Sequence, residues 1–126
     1  MKQGSDNTPI ILVIEDNILM LKLIGRILNM EGWRAILAAD SRYGMAMMEE
    51  SDPDLILLDI RMPDIDGFET LKMIREKSNV PVIMVTANWD PDVTNKAFSM
   101  GADDYVRKPF SNAELVARIR AKLRRV

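Results

Sequence analysis

The chain has 126 residues, 48% of them hydrophobic and 29% charged, with a formal net charge of −2. That length suits one domain with an unaided hydrophobic core, and the charge balance excludes a chain-wide basic footprint for nucleic acid. It contains neither Cys nor His, which excludes disulfides, thiol nucleophiles, Ser–His–Asp triads and His- or Cys-ligated metals. Carboxylates, hydroxyls and amines are left as the reactive groups.

Ile10-Ile11-Leu12-Val13-Ile14 is a continuous apolar run, read as a strand buried on both faces. Glu15-Asp16-Asn17 follows, with Asp16 or Asn17 as the cap of a helix running from Ile18 to Met30. Its apolar stripe is Met20, Leu21, Ile24, Ile27 and Leu28, and Gly32 is its stop. Leu19 and Leu23 add more apolar surface than one stripe needs, and a wide core face is the expectation for them. Trp33 to Ala38 reads as a second strand, and Ser41 as the cap of a Met-rich helix ending near Glu50. Leu55-Ile56-Leu57-Leu58 is the third strand, ending at Asp59. The stretch from Ile60 to Gly67, with Pro63, is a loop, and Phe68, Leu71 and Ile74 mark a third helix.

Val80 to Val85 is the fourth strand, with Pro81 near its start. Asp90 and Pro91 open a weakly apolar fourth helix, expected to be loosely packed, that ends at Gly101. Tyr105-Val106 is a fifth strand, and Ser111 caps a last helix with Leu115, Val116, Ile119 and Leu123 on one face. Residues 1–8 are expected to form a flexible tail, leaving 9–126 as the domain. Strands alternating with amphipathic helices imply an α/β fold, a parallel sheet covered on both faces. The apolar runs are too short to span a bilayer, and the polar N-terminus has no signal-peptide core, so a cytoplasmic protein is expected.

Ligand sites in such sheets lie beyond the carboxyl ends of the strands. There the sequence places Glu15 and Asp16 after strand 1, Asp59 after strand 3, Thr86 and Ala87 after strand 4, and Lys108 after strand 5. Taken singly these are a helix-start acid pair, a turn residue, a strand-end threonine and a surface lysine. Taken together they suit phosphoryl transfer. Crowded carboxylates cannot all ionise cheaply, a divalent cation such as Mg²⁺ resolves the conflict, and a carboxylate is the one plausible nucleophile. A phosphohydrolase with an aspartyl nucleophile and a flavin-binding electron carrier compete with this reading. The first usually has D-x-D after its first strand and a cap; the second needs a phosphate loop that Glu15-Asp16 would repel.

The motifs Val13-Ile14-Glu15-Asp16-Asn17, Asp54 to Pro63 with Asp66-Gly67, Pro81 to Ala87, Gly101-Ala102-Asp103-Asp104-Tyr105 and Lys108-Pro109-Phe110 resemble the receiver domain of two-component response regulators. The resemblance covers about residues 9 to 125. It implies a flavodoxin-like (βα)5 sandwich of strand order 2-1-3-4-5, a phosphorylation switch rather than a substrate-turnover enzyme, and a sensor histidine kinase or phosphotransfer protein as partner. It implies Asp59 as phosphoacceptor, and Mg²⁺ held by Asp16, Asp59 and the Arg61 carbonyl, with Glu15 acting largely through water. It assigns Thr86 and Lys108 to the phosphoryl oxygens, Ala87 to a backbone N–H contact, Tyr105 to an aromatic switch, and a cis peptide to Lys108-Pro109. Glu-Asp stands where Asp-Asp is commoner, which bears on the metal shell, and Arg61 and Asn88 flank the site at variable positions.

The C-terminal third is similar to receivers attached to winged-helix DNA-binding domains, which pair through helix 4, strand 5 and helix 5. That similarity implies a homodimer using Lys96, Asp103, Asp104, Glu114, Arg118 and Arg120, with no direct nucleic-acid binding by this domain; a solvated basic helix is the plainer account of the same charges. The chain stops at Val126, compatible with a stand-alone regulator and with an excised receiver. Helix 1 carries the alternative of a kinase-docking surface.

Overall fold

The computed structural model describes residues 7–61, 64–88 and 90–124. The expectation for the first six residues, and the motif positions Met62 and Pro63, lie outside them. The elements run β1 (Ile10–Ile14), α1 (Ile18–Met30), β2 (Arg34–Ala38), α2 (Ser41–Ser51), β3 (Leu55–Leu58), α3 (Gly67–Lys77), β4 (Val82–Thr86), α4 (Pro91–Ser99), β5 (Asp104–Arg107) and α5 (Asn112–Leu123). All pairings are parallel, in the order β2-β1-β3-β4-β5. The parallel α/β sheet is the one expected from the alternation of strands and helices, and its order is the flavodoxin-like order that the resemblance implies. Among the described residues no helix is long and apolar enough to cross a membrane.

Alternation along the strands builds two cores. Leu12, Ile14, Ile56, Leu58, Val82 and Met84 face one side, where Met48, Leu71, Ile74 and Ala97 from α2, α3 and α4 cover them. Ile11, Val13, Leu55, Leu57, Ile83 and Val85 face the other, under Leu21, Ile24, Ile27 and Leu28 of α1 and Leu115 and Ile119 of α5. A period of two in each strand thus feeds two helical layers. The register pairs Ile14 with Leu58 and Leu58 with Met84. The residues that follow β1 and β3 therefore emerge side by side, and β4 runs two residues further along the same edge.

Every helix opens on a short polar cap. Asn17, Asp40, Asp66 and Asp90 accept from Met20 N, Tyr43 N, Glu69 N and Asp92 N, and the Ser111 hydroxyl accepts from Glu114 N, all at 2.8–3.0 Å. The cap of α2 is Asp40, not Ser41. Asp40 keeps an extended backbone, whereas Ser41 is the first helical residue and turns its hydroxyl into the protein. Strand β4 begins at Val82 rather than Val80 because Pro81 offers only its carbonyl, which accepts from Ile56 N at 2.9 Å. Helix α4 buries only Ala97 fully and ends at Ser99, in keeping with its weak apolar pattern. Its far end is held by Arg75, whose guanidinium donates to the carbonyls of Gly101 (3.0 Å) and Val80 (2.7 Å) and to the Asp103 carboxylate (2.8 Å).

One expectation fails on α1. Leu19 is 80% exposed and Leu23 44%, so the apolar excess is not core. With 3.6 residues per turn, a stripe through positions 21, 24 and 28 turns 19 and 23 outward. The two kinds of leucine and isoleucine should separate in denaturant titrations. Ile56→Ala, in the central strand, should lose about 2–5 kcal/mol at unchanged m-value, and Leu19→Ala less than about 0.5 kcal/mol.

Candidate functional site

Strands β1 and β3 are neighbours, so Glu15 and the acid after β3 meet at one edge. The Asp59 N–H donates to the Ile14 carbonyl at 3.0 Å, extending the ladder one residue past β3. One carboxylate oxygen from each of Glu15, Asp16 and Asp59 lies within 4.8 Å of the others. Glu15 is 2% exposed and Asp59 6%, while Asp16 is open to solvent.

The fourth charge comes from the other end of the chain. The Lys108 N–H donates to the Thr86 carbonyl at 2.9 Å, just beyond β5, and the Lys108-Pro109 peptide is cis. From there the ammonium lies 2.6 Å from Glu15 Oε1 and 3.5 Å from Asp59 Oδ2. Glu15 Oε2 accepts from Asn17 N at 3.1 Å, and Asp59 Oδ1 from Arg61 N at a long 3.4 Å. Burial pushes the Glu15 carboxyl above its ordinary 4.5, and the Asp59 charge adds to that; Lys108 and the Asn17 N–H pull the other way.

Thr86, buried at the end of β4, accepts from Asn88 N at 3.2 Å. Ala87 is exposed beside it, and together with Arg61, Asn88, Asp90 and Pro91 it lines an open cleft of about 550 Å³. Tyr105 is half-buried, and its hydroxyl is buried without a partner in hydrogen-bonding reach among the described residues. Burial raises its pKa; the hydroxyl of Thr94 opposes that shift without closing a bond, and the charges of Asp59 and Asp90 reinforce it.

Glu15, Asp16, Asp59 and Lys108 therefore converge, and Thr86 ends β4 with Ala87 following it on the same edge of the sheet. Three hard carboxylate oxygens sit together, one acid is exposed, and among the described residues the charge opposing them is the Lys108 ammonium. This donor set fits Mg²⁺, which favours few carboxylates and retained water. Lys108 is held more closely by Glu15 Oε1, at 2.6 Å, than by Asp59 Oδ2, at 3.5 Å. The six charges expected to face a second subunit have partners within the chain. Arg118 pairs with Asp104 (3.0 Å) and Glu114 (3.3 Å), Asp103 with Arg75, Arg120 with Glu31, and Lys96 stands 4.3 Å from the Phe68 ring centroid.

Sequence reading left Asp64 without a role. It lies in an aperiodic loop, and its carboxylate serves Ser41 N at 3.2 Å and Arg42 N at 3.1 Å. No local spacing connects positions so far apart.

An α/β sheet of this order, with an acidic cluster and a lysine at its carboxyl edge, defines an aspartate-centred anion and cation site. The family model "Response regulator receiver domain" matches residues 11–120, and the chain belongs to that family: it is the receiver domain of a two-component response regulator. Among its relatives is the transcriptional regulatory protein CpxR of Escherichia coli, 43% identical over 115 residues, covering 91% of this chain and 49% of CpxR. The chain spans about half the length of the curated relatives it matches. A two-component response regulator from Clostridium difficile superposes with a TM-score of 0.91 at 28% identity, over 94% of this chain and 98% of the other. The BeF3-activated N-terminal receiver domain of Klebsiella pneumoniae RstA gives 0.89 at 28% identity, over 92% and 99%.

The site leaves no room for a methyl group at Gly67. A Cβ there would lie 2.5 Å from the Asp59 carbonyl oxygen and 2.5 Å from Ile60 Cα. Backbone atoms cannot step aside as a side-chain tip can. Gly67→Ala should therefore destabilise by ~1–3 kcal/mol, instead of gaining the ~1 kcal/mol that alanine gives in a helix. Thermal and denaturant unfolding measure this.

Proposed function

We propose that Asp59 accepts a phosphoryl group from a phosphorylated histidine of a sensor kinase or phosphotransfer protein, in a Mg²⁺-dependent reaction, and that the new charge resets the α4–β5–α5 face for an output partner or domain. The observation that carries this reading is the placement of Asp59. It is nearly buried, acidic on one side through Glu15 and Asp16, and 3.5 Å from a single ammonium on the other.

An Asp59 carboxylate oxygen attacks phosphorus, and the P–N bond of the donor breaks with its electron pair leaving on the imidazole nitrogen, which regains a proton. Positioning and charge neutralisation dominate such transfers. A divalent cation held by Asp16, Asp59 and the Arg61 carbonyl, with Glu15 behind them, supplies part of that neutralisation when bound. The chain's own groups supply the rest. Lys108 exchanges Glu15 for the phosphoryl oxygens, the Ala87 N–H donates to them, and Thr86 turns its hydroxyl from Asn88 N toward them. The movement of Thr86 is passed to Tyr105 and to α4, the helix with the fewest buried residues among those described. The domain modifies only itself and then hydrolyses its own acyl phosphate slowly, so it is a switch and not a turnover enzyme.

Exposed Ile18 and Leu19, just beyond Asp16 and Asn17, offer an apolar platform for the donor protein next to the acceptor. The α4–β5–α5 face could pair two copies by exchanging the intrachain partners of Arg118 and Asp103 for cross-subunit ones. CpxR is named a transcriptional regulator, and a DNA-binding output for the whole protein follows that name.

Incubation with acetyl phosphate and Mg²⁺ should add one phosphoryl group by intact-mass spectrometry. The adduct should vanish with chelator and in Asp59→Asn. An equal adduct in that variant would refute the assignment.

A further inference from the structure

The N-terminus of α2 is occupied from two directions. Three backbone N–H groups that no turn of the helix itself can satisfy, those of Ser41, Arg42 and Tyr43, have side-chain acceptors. Asp40 takes Tyr43 N through its carboxylate at 2.8 Å, and its carbonyl starts the helix's own ladder by accepting from Gly44 N at 3.0 Å. The two nearest the helix start, Ser41 N and Arg42 N, go to the two oxygens of Asp64, more than twenty residues away in the β3–α3 loop. Asp64 is solvent-exposed. Slight burial acts to raise its pKa, yet the N–H groups of Arg42, Ile65 and Ser41 outweigh it and hold the carboxyl below the usual range.

Beneath this contact lies a buried hydroxyl pair. Ser41 and Thr70 are both 0% exposed. The Ser41 hydroxyl donates to the Ile65 carbonyl at 3.1 Å and accepts from the Thr70 hydroxyl at 2.7 Å; Thr70 Oγ1 is also 3.1 Å from the Asp66 carbonyl oxygen. At the loop's base, Gly67 N donates to the Ile60 carbonyl at 2.6 Å. Ile60, just before Arg61, is thus held by Gly67, and Asp64, three residues after it, by α2.

We infer that Asp64, Ser41 and Thr70 are positioning residues for the phosphoacceptor site: they anchor the β3–α3 loop to the start of α2 and thereby set the Arg61 backbone carbonyl as a cation ligand. The inference rests on the Mg²⁺ reading above. It does not follow from helix capping as such, because Asp40 caps the same helix without touching the loop. Partners that orient a metal's ligands typically govern affinity by 10–100-fold.

The test is calorimetric titration with Mg²⁺ of the wild type and of Asp64→Ala, Ser41→Ala and Asp40→Ala, at a temperature where circular dichroism shows each folded. Asp64→Ala should weaken Mg²⁺ about tenfold. Ser41→Ala, which changes no charge, should weaken it in the same direction. Asp40→Ala should lower the melting temperature but keep the wild-type affinity. Asp64→Asn retains one acceptor and should fall between, and it serves if Asp64→Ala does not fold. Wild-type affinity in both Asp64→Ala and Ser41→Ala, or an equal loss in Asp40→Ala, overturns the inference alone. A wild type that binds no Mg²⁺ overturns the metal reading beneath it.

Discussion

Three carboxylates held together against one ammonium set the terms for the functional end of this molecule. Glu15 and Asp59 are buried, so water screens them poorly, and burial together with the Asp59 charge raises the cost of ionising Glu15. The Lys108 ammonium lies 2.6 Å from one and 3.5 Å from the other. It balances part of the charge and leaves the cluster short of at least one positive partner. On the proposed reading the remaining charge is what a divalent cation would neutralise. Lys108 would then exchange Glu15 for the oxygens of the incoming phosphoryl group.

The fold exists in a form that enforces this crowding. Parallel pairing puts all strand carboxyl ends on one edge, and the register of β1 with β3 sets Glu15 and Asp59 abreast, while that of β3 with β4 carries Thr86 one residue beyond Asp59. Two apolar layers hold those strands rigidly, because the core residues of β3 and β4 are almost entirely excluded from solvent. Helix α4 is held less: it buries one residue fully, Ala97 near its C-terminal end, and is tethered beyond that end through Arg75. A fixed site beside a lightly held helix is what the proposed switch requires, since a change of charge at the site would then shift α4 and leave the sheet in place.

Much of this was legible in the residues. Runs such as Leu55–Leu58 could only be doubly buried strands, and the polar residues closing them marked the site before any geometry was known. What escaped was non-local. Asp40 displaced Ser41 as the α2 cap because both are good caps and only the inward turn of Ser41 separates them. Leu19 and Leu23 were assigned to the core because hydrophobicity alone does not tell a wide buried face from an exposed apolar patch. Asp64 was invisible because its partners lie on another helix. The charges of the C-terminal third were legible as charges, but that Arg118 bonds Asp104 and Glu114 within one chain depends on tertiary placement.

Because Lys108 balances carboxylate charge that a divalent cation would otherwise neutralise, the two should compete, and Mg²⁺ affinity in Lys108→Met tests this most directly. Removing the ammonium removes the cation that the described residues set against the cluster, so the variant should bind Mg²⁺ about tenfold more tightly, a gain of ~1.4 kcal/mol. Affinity equal to or weaker than that of the wild type would contradict the account, since it would mean that Lys108 supports the metal site instead of standing in for its occupant.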